Sequence, residues 1–191
     1  TRRTFIGVCA MTSAAAALGL SEHAQARCGP LAPRTELAAR AHDWDWLIGN
    51  WDVWNRRLKE RLVGSNDWEE FKGKSALWRT MDGFGTLDDN MMDVPSGLYY
   101  GATIRAFDPV TRHWSIWWLD GGNPATIEPP VTGPFEDDTG TFIGKDSYKG
   151  RPITVRFRWR DIHGPRPWWE QAFSTDGGVS WEVNWRNYFT R

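Results

Sequence analysis

The stretch Ile153-Thr154-Val155-Arg156-Phe157-Arg158-Trp159-Arg160 decides the fold of this 191-residue chain. Its odd positions are all apolar, and its even positions are threonine or arginine. Because side chains alternate between the two faces of a β-strand, the pattern predicts a strand over 152–162 with one buried face. The same alternation, less regular, predicts nine further strands over 50–62, 67–78, 81–92, 97–107, 112–119, 125–136, 139–148, 167–174 and 180–190.

Short turn sequences such as Asp108-Pro109, Lys149-Gly150 and Asp176-Gly177-Gly178 separate these segments. Strands joined in sequence order by short turns form an antiparallel up-and-down meander. An open sheet of about ten strands would expose two long edges, so we predict an all-β fold closed into a barrel. A ten-stranded barrel is wider than its own side chains can fill, which predicts a cavity for one small ligand.

The N-terminal residues have the composition of an export signal. Arg2-Arg3 follows Thr1, the stretch 8–20 is small and apolar, and Ala24-Gln25-Ala26 matches a cleavage site. The arginine pair followed by Thr4-Phe5-Ile6 resembles the twin-arginine signal with which bacteria export folded proteins. This resemblance implies cleavage after residues 1–26 and a location in the periplasm or otherwise outside the cytoplasm.

The rest of the chain is predicted to be one domain. Residues 27–34 contain two prolines and form a flexible tether, and 35–191 form the barrel, which begins with one short helix near 35–47. The two cysteines are Cys9 in the signal and Cys28 in the tether, so the exported chain keeps one thiol and has no internal disulfide. A formal net charge of −1 gives no field that attracts nucleic acid or, after signal cleavage, an anionic membrane.

A glycine and a tryptophan mark the entry to the first predicted strand, Gly49-Asn50-Trp51, directly after the short helix. This device resembles the start of the barrel in lipocalins, fatty-acid-binding proteins and nitrobindin-like proteins, where the tryptophan plugs one end. The segments 45–53, 56–62, 107–116 and 169–181 resemble an uncharacterised bacterial family of calycin-like proteins. The resemblance implies a calycin-like barrel and carries no activity with it.

The fourteen tryptophans suggest a barrel wall rich in indole rings. A cavity lined by such rings and one or two arginines suits a hydrophobic or aromatic small molecule with an anionic group, and this is the expected partner. The predicted ligand-binding residues are Trp51, Asn55, Arg57, Arg105, Trp118, Trp159, Gln171 and Trp185. The opposite interpretation stays open: the arginines point outward, the rings fill the core, and the barrel is a surface or assembly module. Association into a homodimer is also left open.

Two other functions use the same barrel. A cofactor-independent isomerase, cyclase or lyase would need one acid or base, for which Glu170 is the first candidate. A haem-binding barrel like nitrobindin would need one histidine, for which His163 beside Trp168-Trp169 is the candidate. No metal-binding motif is present, and no cofactor is expected.

Two further patterns are interpreted as structural. Residues 174–181 (Ser-Thr-Asp-Gly-Gly-Val-Ser-Trp) resemble the Asp-box hairpin of sialidases, in which the aspartate accepts backbone N–H groups and the tryptophan packs beneath the turn. The even positions Arg156, Arg158 and Arg160 are expected to form a solvated outer face.

Overall fold

Eleven β-strands follow one another in residues 37–191, the part of the chain that the computed structural model describes. The predicted signal, the tether and both cysteines lie outside the described residues. The strands are β1 Gly49–Leu58, β2 Trp68–Thr80, β3 Gly85–Val94, β4 Gly97–Asp108, β5 His113–Asp120, β6 Val131–Gly133, β7 Phe135–Glu136, β8 Thr139–Tyr148, β9 Arg151–Arg160, β10 Trp168–Ser174 and β11 Glu182–Thr190.

All strand pairs are antiparallel, and the sheet closes on itself. The first and last strands meet where β1 pairs with β11, from Asp52 opposite Thr190 to Arg57 opposite Trp185. Closure is completed by β6, which pairs with β5 on one side and, through Thr132, with β8 on the other. Since β6 and β7 share one position around the barrel, the fold is the predicted ten-stranded closed antiparallel barrel.

Two predicted strands begin later than expected. The strand predicted from 81 begins at Gly85, because Met81–Gly83 form a 3-10 turn in which Asp82 has a positive φ of 57°. The strand predicted from 125 begins at Val131, after Pro129-Pro130, whose nitrogens have no hydrogen to donate to a ladder. In both places the local backbone geometry overrides the alternation of side chains.

The short helix predicted near 35–47 is present as two 3-10 segments, Ala38–His42 and Asp45–Leu47. Between them Trp44 turns into the core, where it is 2% exposed. No helix within residues 37–191 has the length and hydropathy that a membrane-crossing helix requires.

An aromatic cluster fills the end of the barrel at which β1 begins, called here the closed end. The ring of Trp44 stacks on Trp46 and Phe142 and meets Trp114 and Trp159 edge-on, with centroid distances of 5.9–6.0 Å. The indole N–H of Trp114 donates to Asp43 Oδ2 over 2.8 Å and that of Trp46 to the Asp43 carbonyl over 2.9 Å, whereas Trp44 Nε1 is buried without a hydrogen-bond partner among the described residues. The closed end is therefore a packed core rather than a site.

The hairpin between β10 and β11 has the hydrogen bonds that its Asp-box-like sequence predicts. The carboxylate of Asp176 accepts the backbone N–H groups of Val179 (3.0 Å) and Ser180 (2.9 Å), and Trp181 Nε1 donates to the Gly178 carbonyl over 2.9 Å. Hydrogen bonds from Ser180, then from Ser174 and Val179, hold the pKa of Asp176 well below its usual range. The motif acts as a staple of the turn.

Candidate functional site

The interior of the barrel contains a cavity of about 370 Å³. It extends from Leu47 and Arg105, near the closed end, to Tyr99, Glu128 and Tyr148 at the opposite end, called here the far end. Cavities of roughly 300–1,000 Å³ are the usual size of small-molecule sites in proteins. The interior of the barrel is therefore not fully packed, and its cavity is compatible with binding a small molecule.

Most of the predicted ligand-binding residues line this cavity: Asn55, Arg57, Arg105, Trp118, Trp159, Gln171 and Trp185. Their common orientation follows from strand geometry, because alternate side chains on a strand face the same side of the sheet. The structure therefore brings together residues from β1, β4, β5, β9, β10 and β11 that lie up to 130 positions apart, as Asn55 and Trp185 do.

Trp51 is the one residue of this set that lies outside the cavity lining. It faces inward on β1 but lies at the closed end, outside the cavity lining. Its Nε1 donates to the Leu47 carbonyl over 2.7 Å, its ring meets Phe189 edge-on at 6.0 Å, and the Arg191 guanidinium lies 4.2 Å from its centroid. Trp51 is 7% exposed and is part of the packing at the closed end.

Arg105 lines the cavity, but its charge is already compensated. Its Nη1 lies 2.7 Å from Asp88 Oδ2, and both side chains are 4% exposed. The Asp88 carboxylate also accepts the backbone N–H of Thr103 over 2.9 Å, and the Arg105 guanidinium lies 4.6 Å from the centroid of Trp44. Arg105 therefore belongs to a buried ion pair near the closed end rather than to an anion site.

Arg57 is also compensated, by Glu69 on the neighbouring strand β2. Its Nε and Nη2 both donate to Glu69 Oε1, over 2.8 and 2.5 Å. The guanidinium lies 5.0 Å from the ring centroid of Phe71 and 5.2 Å from that of Trp185. Arg57 is packed against two rings, and Glu69 compensates its charge. It therefore forms part of the cavity wall without offering an uncompensated positive charge to a ligand.

Arg61 is the cation that the sequence analysis missed. It follows β1 in the loop to β2 and reaches back into the far end, where its guanidinium lies 5.7–5.8 Å from the rings of Tyr148, Phe173 and Trp185. Within residues 37–191 no carboxylate forms an ion pair with it. Burial, and then the nearby charge of Arg57, lower the pKa of Arg61. An unpaired, half-buried guanidinium in a cavity is suited to an anionic ligand group.

Acidic residues occupy the other side of the far end. Asp120, Glu128 and Asp146 all line the cavity. Loss of water around the Glu128 carboxyl, and then the charges of Asp146 and Asp120, raise the pKa of Glu128. Burial and a hydrogen bond with Asp120 raise the pKa of the Tyr99 phenol. No group of three or more residues suited to holding a metal ion is found in the described part of the chain.

Replacement of Glu128 by glutamine is expected to stabilise the protein at pH 7. Because the pKa of Glu128 is higher in the folded protein than in the unfolded chain, ionisation of this carboxyl favours unfolding. The protonated carboxyl contributes its full stability below pH 4.5, the ordinary pKa of the group, and this stability is lost as the pH rises through the raised pKa. Thermal unfolding should therefore show a higher midpoint for Glu128→Gln at pH 7 and little difference at pH 4. Glu136→Gln, an exposed position on β7, is the control and should show neither change.

Glu170, the candidate acid or base, does not line the cavity. Its neighbours Trp169 and Gln171 face inward, so alternation places Glu170 on the outer face of β10. There it is 5% exposed, and its carboxylate lies 3.8–3.9 Å from guanidinium nitrogens of Arg156, Arg158 and Arg186. This position removes Glu170 from the residues that could act on a ligand held in the barrel.

The arginine row on β9 does face outward, but it is less solvated than predicted. The Arg156 side chain is 13% exposed, and its guanidinium lies 4.4 Å from the ring centroid of Trp181. Arg160 covers Trp168 in the same way at 5.5 Å. Cation–π contacts and the shared Glu170 carboxylate hold these side chains against the wall of the barrel.

His163, the candidate haem ligand, lies in the loop between β9 and β10 at the closed end. It is exposed, and its backbone N–H donates to Asp138 Oδ1 over 3.0 Å. His42 and His113 are not part of the cavity wall either, so no described histidine is placed to ligate a group inside the barrel.

Comparison with known proteins supports the fold alone. No family model matches the chain, and no curated protein matches it. Among solved structures, the chain is similar to the crystal structure of Rv2717c from M. tuberculosis, with a TM-score of 0.52 and 14% sequence identity over 84% of this chain and 98% of that one. At this level of identity, the similarity between the two structures supports a shared barrel architecture and gives no information on activity.

Proposed function

We propose that this protein binds a small molecule inside its barrel, and that the ligand has a flat hydrophobic or aromatic body and an anionic group. The observation that carries the proposal is Arg61, a guanidinium at the far end of an aromatic cavity that forms no ion pair within residues 37–191 and interacts with Glu182 and Glu69 only at longer range. Among the arginines of the cavity wall, Arg57 and Arg105 have partners in Glu69 and Asp88, so the anionic group is assigned to Arg61. The exposed Lys145 donates to Thr154 Oγ1.

The aromatic body is assigned to the middle of the cavity. Trp185 and Trp118 line it, and Trp185 continues through a ring contact of 6.0 Å to Trp169 and then, at 4.9 Å, to Phe157. Such rings favour offset-stacked or edge-on contacts with another ring. Because Arg61 lies beside Trp185, a ligand stacked on this indole brings its anionic group to the guanidinium. The twin-arginine-type sequence supports binding outside the cytoplasm.

Fluorescence titration with anilinonaphthalene sulfonate tests the proposal, because this probe combines a naphthalene ring with an anionic group. We expect the substitution Arg61→Gln to weaken binding by roughly 10- to 150-fold, the effect of losing one hydrogen bond to a charged group. The neutral analogue phenylnaphthylamine lacks the sulfonate, and its affinity should be the same for both proteins.

Arg186→Gln is the matched control. Arg186 lies on the outer face of β11, beside Glu170 and Trp68, and does not line the cavity. If the sulfonate binds in the barrel, this variant should bind the probe as the unsubstituted protein does. A loss of affinity in Arg186→Gln but not in Arg61→Gln would place the anion site outside the barrel and overturn the proposal.

A further inference from the structure

A buried amide in the centre of β1 has an unused hydrogen-bond donor. Asn55 is 1% exposed and lines the cavity. Its Oδ1 accepts the indole N–H of Trp185 over 3.1 Å, but no group in residues 37–191 accepts from its Nδ2. Buried amide N–H groups in proteins are almost always paired, so this donor is available to a group that enters the cavity.

The orientation of this amide is fixed, and space is kept beside it. Because the Trp185 indole can only donate, the Asn55 oxygen must face it and the Nδ2 must face away. On β2, Gly73 lies next to the Nδ2: a Cβ there would be 3.2 Å from the Nδ2 and 2.7 Å from the Met91 carbonyl oxygen. A side chain at position 73 would therefore crowd the amide, and glycine leaves it open.

An unused acceptor lies opposite the unused donor. Asn187 pairs with Asn55 across β1 and β11 and also lines the cavity, and its Oδ1 is buried without a hydrogen-bond partner. Residues directly opposite each other on one face of an antiparallel pair have Cβ atoms about 4.5–5.5 Å apart. The two asparagines thus bring one unused donor and one unused acceptor to paired positions on the cavity wall.

We infer that the ligand carries a lactam edge, a ring carbonyl next to a ring N–H, which Asn55 Nδ2 and Asn187 Oδ1 recognise together. This inference rests on the proposed function and names its ligand class: a flat lactam heterocycle with an acidic substituent. The ring stacks on Trp185, whose N–H orients Asn55 and whose face also contacts Arg61. Trp185 therefore contacts both Asn55, one of the two asparagines that recognise the lactam, and Arg61, which binds the anionic group.

Three related carboxylates test the inference by calorimetric titration of the full chain. The first, 2-quinolone-4-carboxylate, has the lactam edge; its N-methyl derivative has no ring N–H; naphthoate has neither lactam group. We expect the quinolone acid to bind more tightly than naphthoate by about tenfold or more, since a site built for hydrogen bonds rejects an analogue that lacks them. The N-methyl compound should lose this advantage.

Two variants assign the preference to the asparagines. Asn55→Asp, which keeps an oxygen for the Trp185 indole but has no Nδ2 donor, and Asn187→Leu should each remove the preference for the quinolone acid over naphthoate. Naphthoate binding measured on the same variants reports whether the barrel is folded. Equal binding of the quinolone acid and naphthoate by the unsubstituted protein overturns the inference, as does a preference that survives both substitutions. If naphthoate binds through Arg61 without such a preference, the proposed function stands and only the lactam inference fails; if no acid binds, both fail.

Discussion

Replacing Asp88 by alanine is expected to lower the free energy of unfolding by about 3–5 kcal/mol. The substitution leaves the Arg105 guanidinium, whose side chain is 4% exposed, without the carboxylate that lies 2.7 Å away. It also removes the acceptor for the Thr103 backbone N–H. A buried charge without a partner is costly because protein replaces the water that would solvate it. Urea unfolding followed by tryptophan fluorescence measures the change.

The control is an ion pair of the same length on the surface. Lys74 Nζ lies 2.7 Å from Asp52 Oδ1, but both side chains are 69% exposed. Asp52→Ala should therefore cost only about 0–1 kcal/mol. Replacing both members of the buried pair, Asp88→Leu with Arg105→Met, should recover most of the stability lost in Asp88→Ala. Equal losses in Asp52→Ala and Asp88→Ala would contradict the burial that the structure gives this pair.

The second large effect is expected at the seam where β6 closes the barrel. A Cβ on Gly133 would overlap the Thr141 carbonyl of β8, and one on Gly144 of β8 would lie 2.6 Å from the Pro130 carbonyl. The two strands approach so closely here that neither position accommodates a side chain. Gly133→Val is expected to cost about 3 kcal/mol, the upper part of the usual range for overpacking, because backbone rather than a side chain must move.

The neighbouring position provides the control for this prediction. Thr132 is on the same strand and is exposed, and valine is as favourable in a strand as threonine. Thr132→Val should change the free energy of unfolding by no more than about 0.5 kcal/mol. The measurement is again urea unfolding, with the slope of the transition reporting loosening of the barrel. Gly133→Val with unchanged stability would show that β6 does not close the sheet as described.

Alternation along the strands was enough to predict which side chains share the interior. Asn55, Trp118 and Gln171 line the cavity as expected. Side chains alternate between the two faces of a strand, so once one inward-facing residue is known, the orientation of the others on that strand follows. The same rule argues against Glu170, the neighbour of an inward-facing Gln171, as a residue of the cavity. Trp51 shows a further limit, since facing inward does not specify the depth at which a side chain lies along the barrel.

The charges of the site could not be predicted in the same way. The sequence pattern does not distinguish Arg105 from Arg57, and each is paired with a carboxylate on a neighbouring strand whose register depends on the turns. Arg61 lies beyond the end of β1, and its return into the cavity depends on the loop conformation before β2. Ion pairing and loop geometry are tertiary properties, and they decide which arginine is left for a ligand.

A crystal structure of the protein with anilinonaphthalene sulfonate is the most direct test of a hollow, ligand-binding barrel. We expect the naphthalene ring of the probe to lie inside the cavity against Trp185 and the sulfonate of the probe to contact the guanidinium of Arg61. Probe bound only on the outer face near Arg156 and Arg186, or an interior in which no probe fits, would contradict it.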